Sequence, residues 1–156
     1  NCYSLMPILF EILKSYGVAV DVRCLSAHRA YAGLSAFIEE TNKNGTEVII
    51  AAAGMAAHLG GVIASMTTLP VIGVPIKSSL DGMDALLAIV QMPPGIPVAT
   101  VGVDAAMNAG LLAVQMLAVG DTRLKQELVG YKETLKSKIV KANEDLKNVK
   151  YEFKTN

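Results

Sequence analysis

The stretch "EVIIAAAGMAAHLGG", residues 47–61, decides how the chain folds. Its first part is a nearly continuous apolar run, the pattern of a strand buried on both faces. From Ala56 the residues turn to helical spacing, "AAHLGGVIASMTT", residues 56–68. A buried strand that feeds directly into a helix is the repeating unit of a parallel sheet, because parallel strands require a crossover between them.

The same alternation extends in both directions. Downstream, "PVIGVPI" at 70–76 reads as a strand, "DGMDALLAIVQM" at 81–92 as a helix, "PVATVGV" at 97–103 as a strand, and "DAAMNAGLLAVQMLA" at 104–118 as an apolar helix. Upstream, "VAVDVRCL" at 18–25 is β-branched and strand-like, and "YAGLSAFIEETNKNG" at 31–45 is an amphipathic helix closed by Gly45. "LMPILFEILKSYG" at 5–17 has helical spacing and stops at Gly17. Four strands alternating with helices predict right-handed crossovers and a parallel sheet covered by helices on both faces.

From Asp121 the texture changes. "DTRLKQELVGYKETLKSKIVKANEDLKNV" puts Leu124, Leu128, Tyr131, Leu135, Ile139, Ala142 and Leu146 at three- and four-residue intervals, with lysines and glutamates elsewhere. This is a long amphipathic helix expected to pack on the domain or on a neighbouring subunit. The expected organisation is one domain: an α/β core over 1–120, a C-terminal helix over 121–150 and a tail over 151–156.

Composition removes several function classes. Lys+Arg and Asp+Glu both number 14, so there is no basic field for nucleic acid or anionic lipid. The hydrophobic fraction of 52% is carried by Ala, Val, Leu, Ile and Met, with aromatics at 5%. A membrane span does not explain it: the most apolar stretches are interrupted by His58, Asp104, Asn108 and repeated glycines. Subunit contacts in a tight oligomer do. Cys2 and Cys24 make neither a disulfide framework nor a metal cluster, which favours a reducing, cytoplasmic setting. No secretory leader is read at the start, and the opening Asn suggests that residues lie upstream.

In parallel sheets ligands bind beyond the carboxyl ends of the strands. Three such ends carry polar residues: His28 and Arg29, then Ala53 to His58, then Lys77 to Asp84. An imidazole, with an ordinary pKa of about 6.5, gives and takes a proton at neutral pH. A guanidinium beside it would hold a phosphate or carboxylate. Against this stands the plainer view of His28 as a histidine with a satisfied hydrogen bond, and of the Ala/Gly run as close helix–sheet packing. No carboxylate or thiol sits at ligand spacing from either histidine, so metal binding lacks support. Neither a G-x-G-x-x-G fingerprint nor a P-loop occurs, so no nucleotide cofactor is expected. The small walls around "AAAGMAAHLGG" suit a small apolar molecule. Asp81 or Asp84 is expected to cap the helix that follows, with Asp84 favoured, and Gly82 offers a hinge for a lid.

The blocks "SAHR", "AGMAAHL", "LPVIGVP", "GMDALLAIVQMPPGIPVATV" and "NAGLLAVQML", in this order, resemble the N-carboxyaminoimidazole ribonucleotide mutase family of purine biosynthesis. The likeness runs from about Leu5 to the end of the chain. It implies a flavodoxin-like three-layer sandwich, a homo-octamer and an ATP- and metal-independent reaction that moves a carboxylate through carbon dioxide in a closed pocket. It further implies that His28 is the general acid/base. Ser26, Ala27 and Arg29 would bind the ribotide, and Gly54, Ala56, His58 and Leu59 would line the carboxylate pocket. "AAHL" favours the mutase class over the animal-type carboxylases of the same fold.

The chain also departs from that pattern. The family's opening strand and its Gly-Ser-x-Ser-Asp phosphate and ribose loop are absent here, with Asn1 and Cys2 standing where Ser-Asp would be. The strand is expected from a fuller chain, because it lies between the next two strands of a flavodoxin-like sheet. A thiol at Cys2 would weaken ribose binding. "AYAG" replaces Thr-Pro-Asp after "SAHR", Met55 stands at a usual glycine, Gly60 at a usual proline, and the 77–82 segment is one residue short. These changes leave a second reading open: a catalytically weak, oligomeric relative that binds a nucleotide-like ligand.

Overall fold

The computed structural model describes residues 2–149, with side chains described from Leu5 onward. The expectations for Asn1, for the Cys2 side chain and for the 151–156 tail fall outside that range. The elements in chain order are α1 (Cys2–Ser15), α2 (Tyr31–Thr41), β1 (Ile49–Gly54), α3 (Leu59–Ala64), β2 (Val71–Ile76), α4 (Met83–Val90), β3 (Ala99–Thr100), α5 (Ala106–Leu117) and α6 (Thr122–Leu146). A single 3-10 turn, Leu80–Gly82, precedes α4.

The sheet is parallel, in the order β1-β2-β3, with Ile49 to Gly54 in register with Val71 to Ile76. β2 lies in the middle and every one of its residues is buried. β1 is half-buried along most of its length, because one of its edges has no strand beside it among the described residues. The expected strand over 18–25 does not form. The segment belongs to neither strand nor helix, and Val20 and Val22 are 44% and 47% exposed. An isolated strand has no ladder partner to satisfy its N–H and C=O groups, so β-branched composition alone cannot hold one. The strand expected over 97–103 shrinks to Ala99–Thr100.

The chain divides into two compact units, one through Leu117 and one from Ala118. In the first, Leu34 and Ile38 of α2, Ile49 and Ala51 of β1, Ile63 of α3 and Val71 of β2 form one core cluster. Ala85 and Ile89 of α4 pack with Ala57 in a second. Gly73 lets α4 approach: a Cβ there would stand 2.3 Å from Ile89 Cγ2. Since side chains alternate along a strand, Ile72 and Val74 point to the opposite layer, where α5 contacts β2 and α1 packs on α5. The seam between α1 and α5 is also close, with a Cβ on Gly110 falling 2.9 Å from Ile12 Cγ2. In the second unit Asp121 caps α6 through its carboxylate, which accepts the N–H groups of Arg123 and Leu124. Leu124 and Leu128 are buried, whereas Leu135, Ile139 and Leu146 are exposed.

Candidate active site at the strand ends

Three chain segments carry the polar residues singled out from the sequence. The first is a tight turn. The Ser26 carbonyl accepts the Ala30 N–H at 3.0 Å, and the Ser26 hydroxyl oxygen accepts the Arg29 N–H at 3.2 Å. A serine that satisfies the turn itself fixes where the next two side chains leave the chain. His28 and Arg29 are both exposed, and Ala27 packs against the core cluster. Among the described residues no carboxylate pairs with Arg29, so its fork of donors is available to an anion.

The second segment leaves β1. The Ala57 N–H returns to the Gly54 carbonyl at 3.1 Å, closing a turn whose first central residue, Met55, has φ +57. Ala57 has φ +44. Such backbone favours glycine and costs about 1–3 kcal/mol in other residues. Gly54 has no room for a side chain, since a Cβ would lie 2.8 Å from Ser78 Oγ and 3.2 Å from the Ile76 carbonyl oxygen. His58 precedes α3 and makes no capping bond with its ring, which is free to turn outward.

It turns to the first segment. His28 Nε2 and His58 Nδ1 are 2.9 Å apart, with ring centroids 5.0 Å apart and the planes at 87°. One hydrogen occupies that contact, so one ring donates and the other accepts. Residues 30 positions apart are thereby joined, the turn after residues 18–25 meeting the turn that leaves β1. Among the described residues no three of His, Cys, Asp and Glu come together in a metal-binding group.

The third segment leaves β2. Ser78 Oγ accepts the Met55 N–H at 3.1 Å and ties the second segment to the third. Asp104, just beyond β3, accepts the Lys77 N–H at 3.0 Å and returns its own N–H to the Pro75 carbonyl at 2.9 Å. Neither Ser78 nor Asp104 stood out in the sequence as a tie between segments, because nothing local distinguishes such a residue from a solvated loop position. Lys77 pairs with Asp81 at 2.9 Å. The hydrogen bond from Lys77, then its charge, holds the Asp81 carboxyl below its usual value; the same bond and charge raise Lys77. The Asp81 contribution is therefore present above about pH 3.9 and lost as pH falls through the lowered value. The Lys77 contribution is present below about pH 10.4 and lost as pH rises through the raised one. The tie is constant across neutral pH, and weak because both groups are exposed.

Two expectations for this segment are corrected. The residue that caps α4 is Gly82, not an aspartate; Asp84 sits in the first turn, where its carboxylate accepts the Ala85 N–H at 2.9 Å. Gly82 is also no free hinge. It is buried at φ +84, and a Cβ there would meet Val103 Cγ1 at 2.6 Å and Lys77 Cα at 3.2 Å.

Ser26, Ala27, His28, Arg29, Gly54, Ala56, His58 and Leu59 thus fall on two adjoining segments that the His28–His58 contact brings together. In the single chain these positions are accessible: Ala56 is exposed, and Gly54 and Leu59 are half-buried.

Residues 3–138 match the family model described as AIR carboxylase. A relative from Methanocaldococcus jannaschii named N5-carboxyaminoimidazole ribonucleotide mutase is 50% identical over 140 residues, covering 89% of this chain and 87% of its own. One of the same name from Pyrococcus abyssi is 49% identical over 135 residues, covering 84% of this chain and 78% of its own. Among solved structures, that of Treponema denticola PurE superposes with a TM-score of 0.86 at 25% identity, covering 94% of this chain and 92% of its own. The flavodoxin-like α/β architecture accords with these matches.

Proposed function

The chain belongs to the AIR carboxylase family, and from that membership we propose that it acts in de novo purine biosynthesis as an N5-carboxyaminoimidazole ribonucleotide mutase. Its substrate is N-carboxyaminoimidazole ribonucleotide and its product is 4-carboxy-5-aminoimidazole ribonucleotide. The observation that carries this reading is the 2.9 Å contact between His28 and His58 beside Arg29, which pairs with no carboxylate among the described residues.

The reaction needs one proton moved twice. The carbamate N–C bond breaks with its electron pair going to nitrogen, the His28 imidazolium delivers a proton there, and carbon dioxide is released. The ring carbon then attacks carbon dioxide and forms the new C–C bond, and the proton which that carbon sheds returns to His28. Atoms and charge balance with no external acid, which is why a single imidazole suffices. With His58 accepting at Nδ1, His28 keeps its Nε2–H throughout and uses Nδ1 as the exchanging atom. Arg29, with Ser26 and Ala27, holds the ribotide phosphate end, and Gly54, Ala56, His58 and Leu59 line the space around the migrating carboxylate. ATP and a metal have no part in the balance.

We place the protein in the cytoplasm as a homo-octamer. One feature supports assembly: a row of exposed apolar side chains on α4, where Met83, Leu87 and Val90 are 53%, 49% and 52% exposed. Among the described residues no helix is long and apolar enough to cross a membrane.

The test is conversion of the carboxylated ribotide by purified protein. His28→Asn is expected to lower kcat by about 10²–10⁴-fold with little change in KM, and Arg29→Ala to raise KM with a smaller effect on kcat. Inverted effects overturn the role assignments. An inactive wild-type protein that still binds a nucleotide-like ligand would favour the catalytically weak relative.

A further inference from the structure

The turn that leads from α2 into β1 carries two asparagines in opposite circumstances. At Asn42 the groups that could react are all held. Its side-chain nitrogen donates to the Met66 carbonyl at 3.3 Å, and its side-chain oxygen accepts the Thr67 hydroxyl. The N–H of the next residue, Lys43, bonds the Glu40 carbonyl at 2.9 Å. Asn44 shows the reverse. Among the described residues neither its side-chain nitrogen nor the Gly45 N–H has an acceptor. Its side-chain oxygen, by contrast, accepts twice from Thr46, from the N–H at 3.1 Å and from the hydroxyl at 2.6 Å. A backbone N–H can only donate, so the atom facing it is the oxygen and the amide nitrogen points away. Asn44 and Gly45 are exposed, and nothing lies within 4 Å of where a Gly45 Cβ would stand.

We propose that Asn44–Gly45 is a self-modifying site, where the chain closes a succinimide and reopens it as an aspartyl or isoaspartyl residue, with Thr46 promoting the closure. The Gly45 nitrogen gives its proton to water and bonds to Asn44 Cγ. The Cγ–Nδ2 bond then breaks, and the nitrogen leaves as ammonia with a proton taken from water. A second water adds to either imide carbonyl and opens the ring, so the net change is one water consumed and one ammonia released. Each feature of the turn serves one step. Glycine presents no side chain to block the attack. Its N–H is not tied up as that of Lys43 is. When Cγ becomes tetrahedral its oxygen gains negative charge, and the two Thr46 donors already aimed at it stabilise that charge as an oxyanion hole does. The product sets a carboxylate at the C-terminal end of α2, where the helix dipole disfavours negative charge. The isoaspartyl form also adds a methylene to the main chain ahead of β1. His58 lies beyond the other end of β1, so the change weakens the way into the sheet and not the histidine contact. This inference is independent of the mutase reading.

The experiment ages the purified chain in native buffer and in urea, and follows Asn44 and Asn42 by peptide mass spectrometry and isoaspartyl-specific methylation. Native protein is expected to be modified at Asn44 while Asn42 stays intact. Thr46→Val keeps the branched shape and deletes the hydroxyl. It is expected to slow modification of Asn44 by about fivefold in native buffer, as fits one lost hydrogen bond, and to leave the rate in urea unchanged. Thr46→Ser, which restores the hydroxyl, is expected to recover the native rate. Native protein that stays unmodified at Asn44 refutes the site. If folded Thr46→Val is modified as fast as wild type or faster, the Thr46 bonds restrain the amide and the proposal falls. If Thr46→Val does not fold, the wild-type chain decides. Its ratio of Asn44 to Asn42 modification is expected to be higher in native buffer than in urea, and an equal ratio shows that the turn contributes nothing.

Discussion

His28 and His58 hold a single hydrogen between them, and that fact organises the site. In a lone imidazole either nitrogen can carry the proton, so some encounters with substrate would present the wrong tautomer. With His58 accepting through Nδ1, the 2.9 Å contact to Nε2 removes that ambiguity. Replacing His58 by Phe keeps a flat ring but deletes the acceptor. The loss of one ordinary hydrogen bond, worth about 1 kcal/mol, is expected to lower kcat by about fivefold or more with KM little changed. His58→Gln, whose carbonyl can accept, is expected to recover part of that loss. Steady-state kinetics of the two variants checks this, and equal defects in both would show that His58 acts by bulk and not by its lone pair. Arg29 differs in kind: it makes no ion pair with a described carboxylate, so its charge is reserved for an anion that arrives from solution.

Among the elements, β2 bears most of the packing. All six of its residues are buried and both of its neighbours pair with it. Gly73 sits at its centre under α4, where a Cβ would come within 2.3 Å of Ile89 Cγ2 and 3.1 Å of Val98 Cγ1. Gly73→Ala therefore overpacks a filled interior and is expected to cost about 1–3 kcal/mol, read as a lower urea midpoint with an unchanged slope. The same change at Gly45, where nothing lies within 4 Å, meets no atom but does meet φ +82. Its cost comes from backbone alone, about 1 kcal/mol. α6 is a different sort of element. Its first turns are capped by Asp121 and bury Leu124 and Leu128, while the remainder exposes Leu135, Ile139 and Leu146 on a surface rich in Lys and Glu.

For the whole molecule, the excess of apolar residues finds its outlet in faces such as that of α4. Met83, Leu87 and Val90 recur at helical spacing, each about half exposed, with Asp84 the helix's sole charge. An uncharged face can meet its own copy without like-charge repulsion, as a symmetric contact requires. Leu87→Lys is expected to lower the sedimentation coefficient while leaving the far-ultraviolet circular dichroism of the subunit intact. An unchanged coefficient would move the contact to another face. If assembly completes the site around His28, that variant also loses turnover in proportion to the assembly lost.

Sequence by itself determined the alternation of elements, because buried strands and amphipathic helices impose different apolar periods on the chain. It also marked His28, Arg29 and His58, because polar residues at the ends of apolar strands stand out against their background. It could not determine which strand-like segment would be a strand. Residues 18–25 have the composition of one and form none, since a strand exists only through a neighbour's hydrogen bonds. Nor could it show that Ser78 and Asp104 tie segments together, that Gly82 is wedged against Val103, or that Met55 and Leu80 take left-handed backbone. Those features depend on residues far apart in the chain being brought within about 3 Å of each other, and local pattern carries no record of such distances.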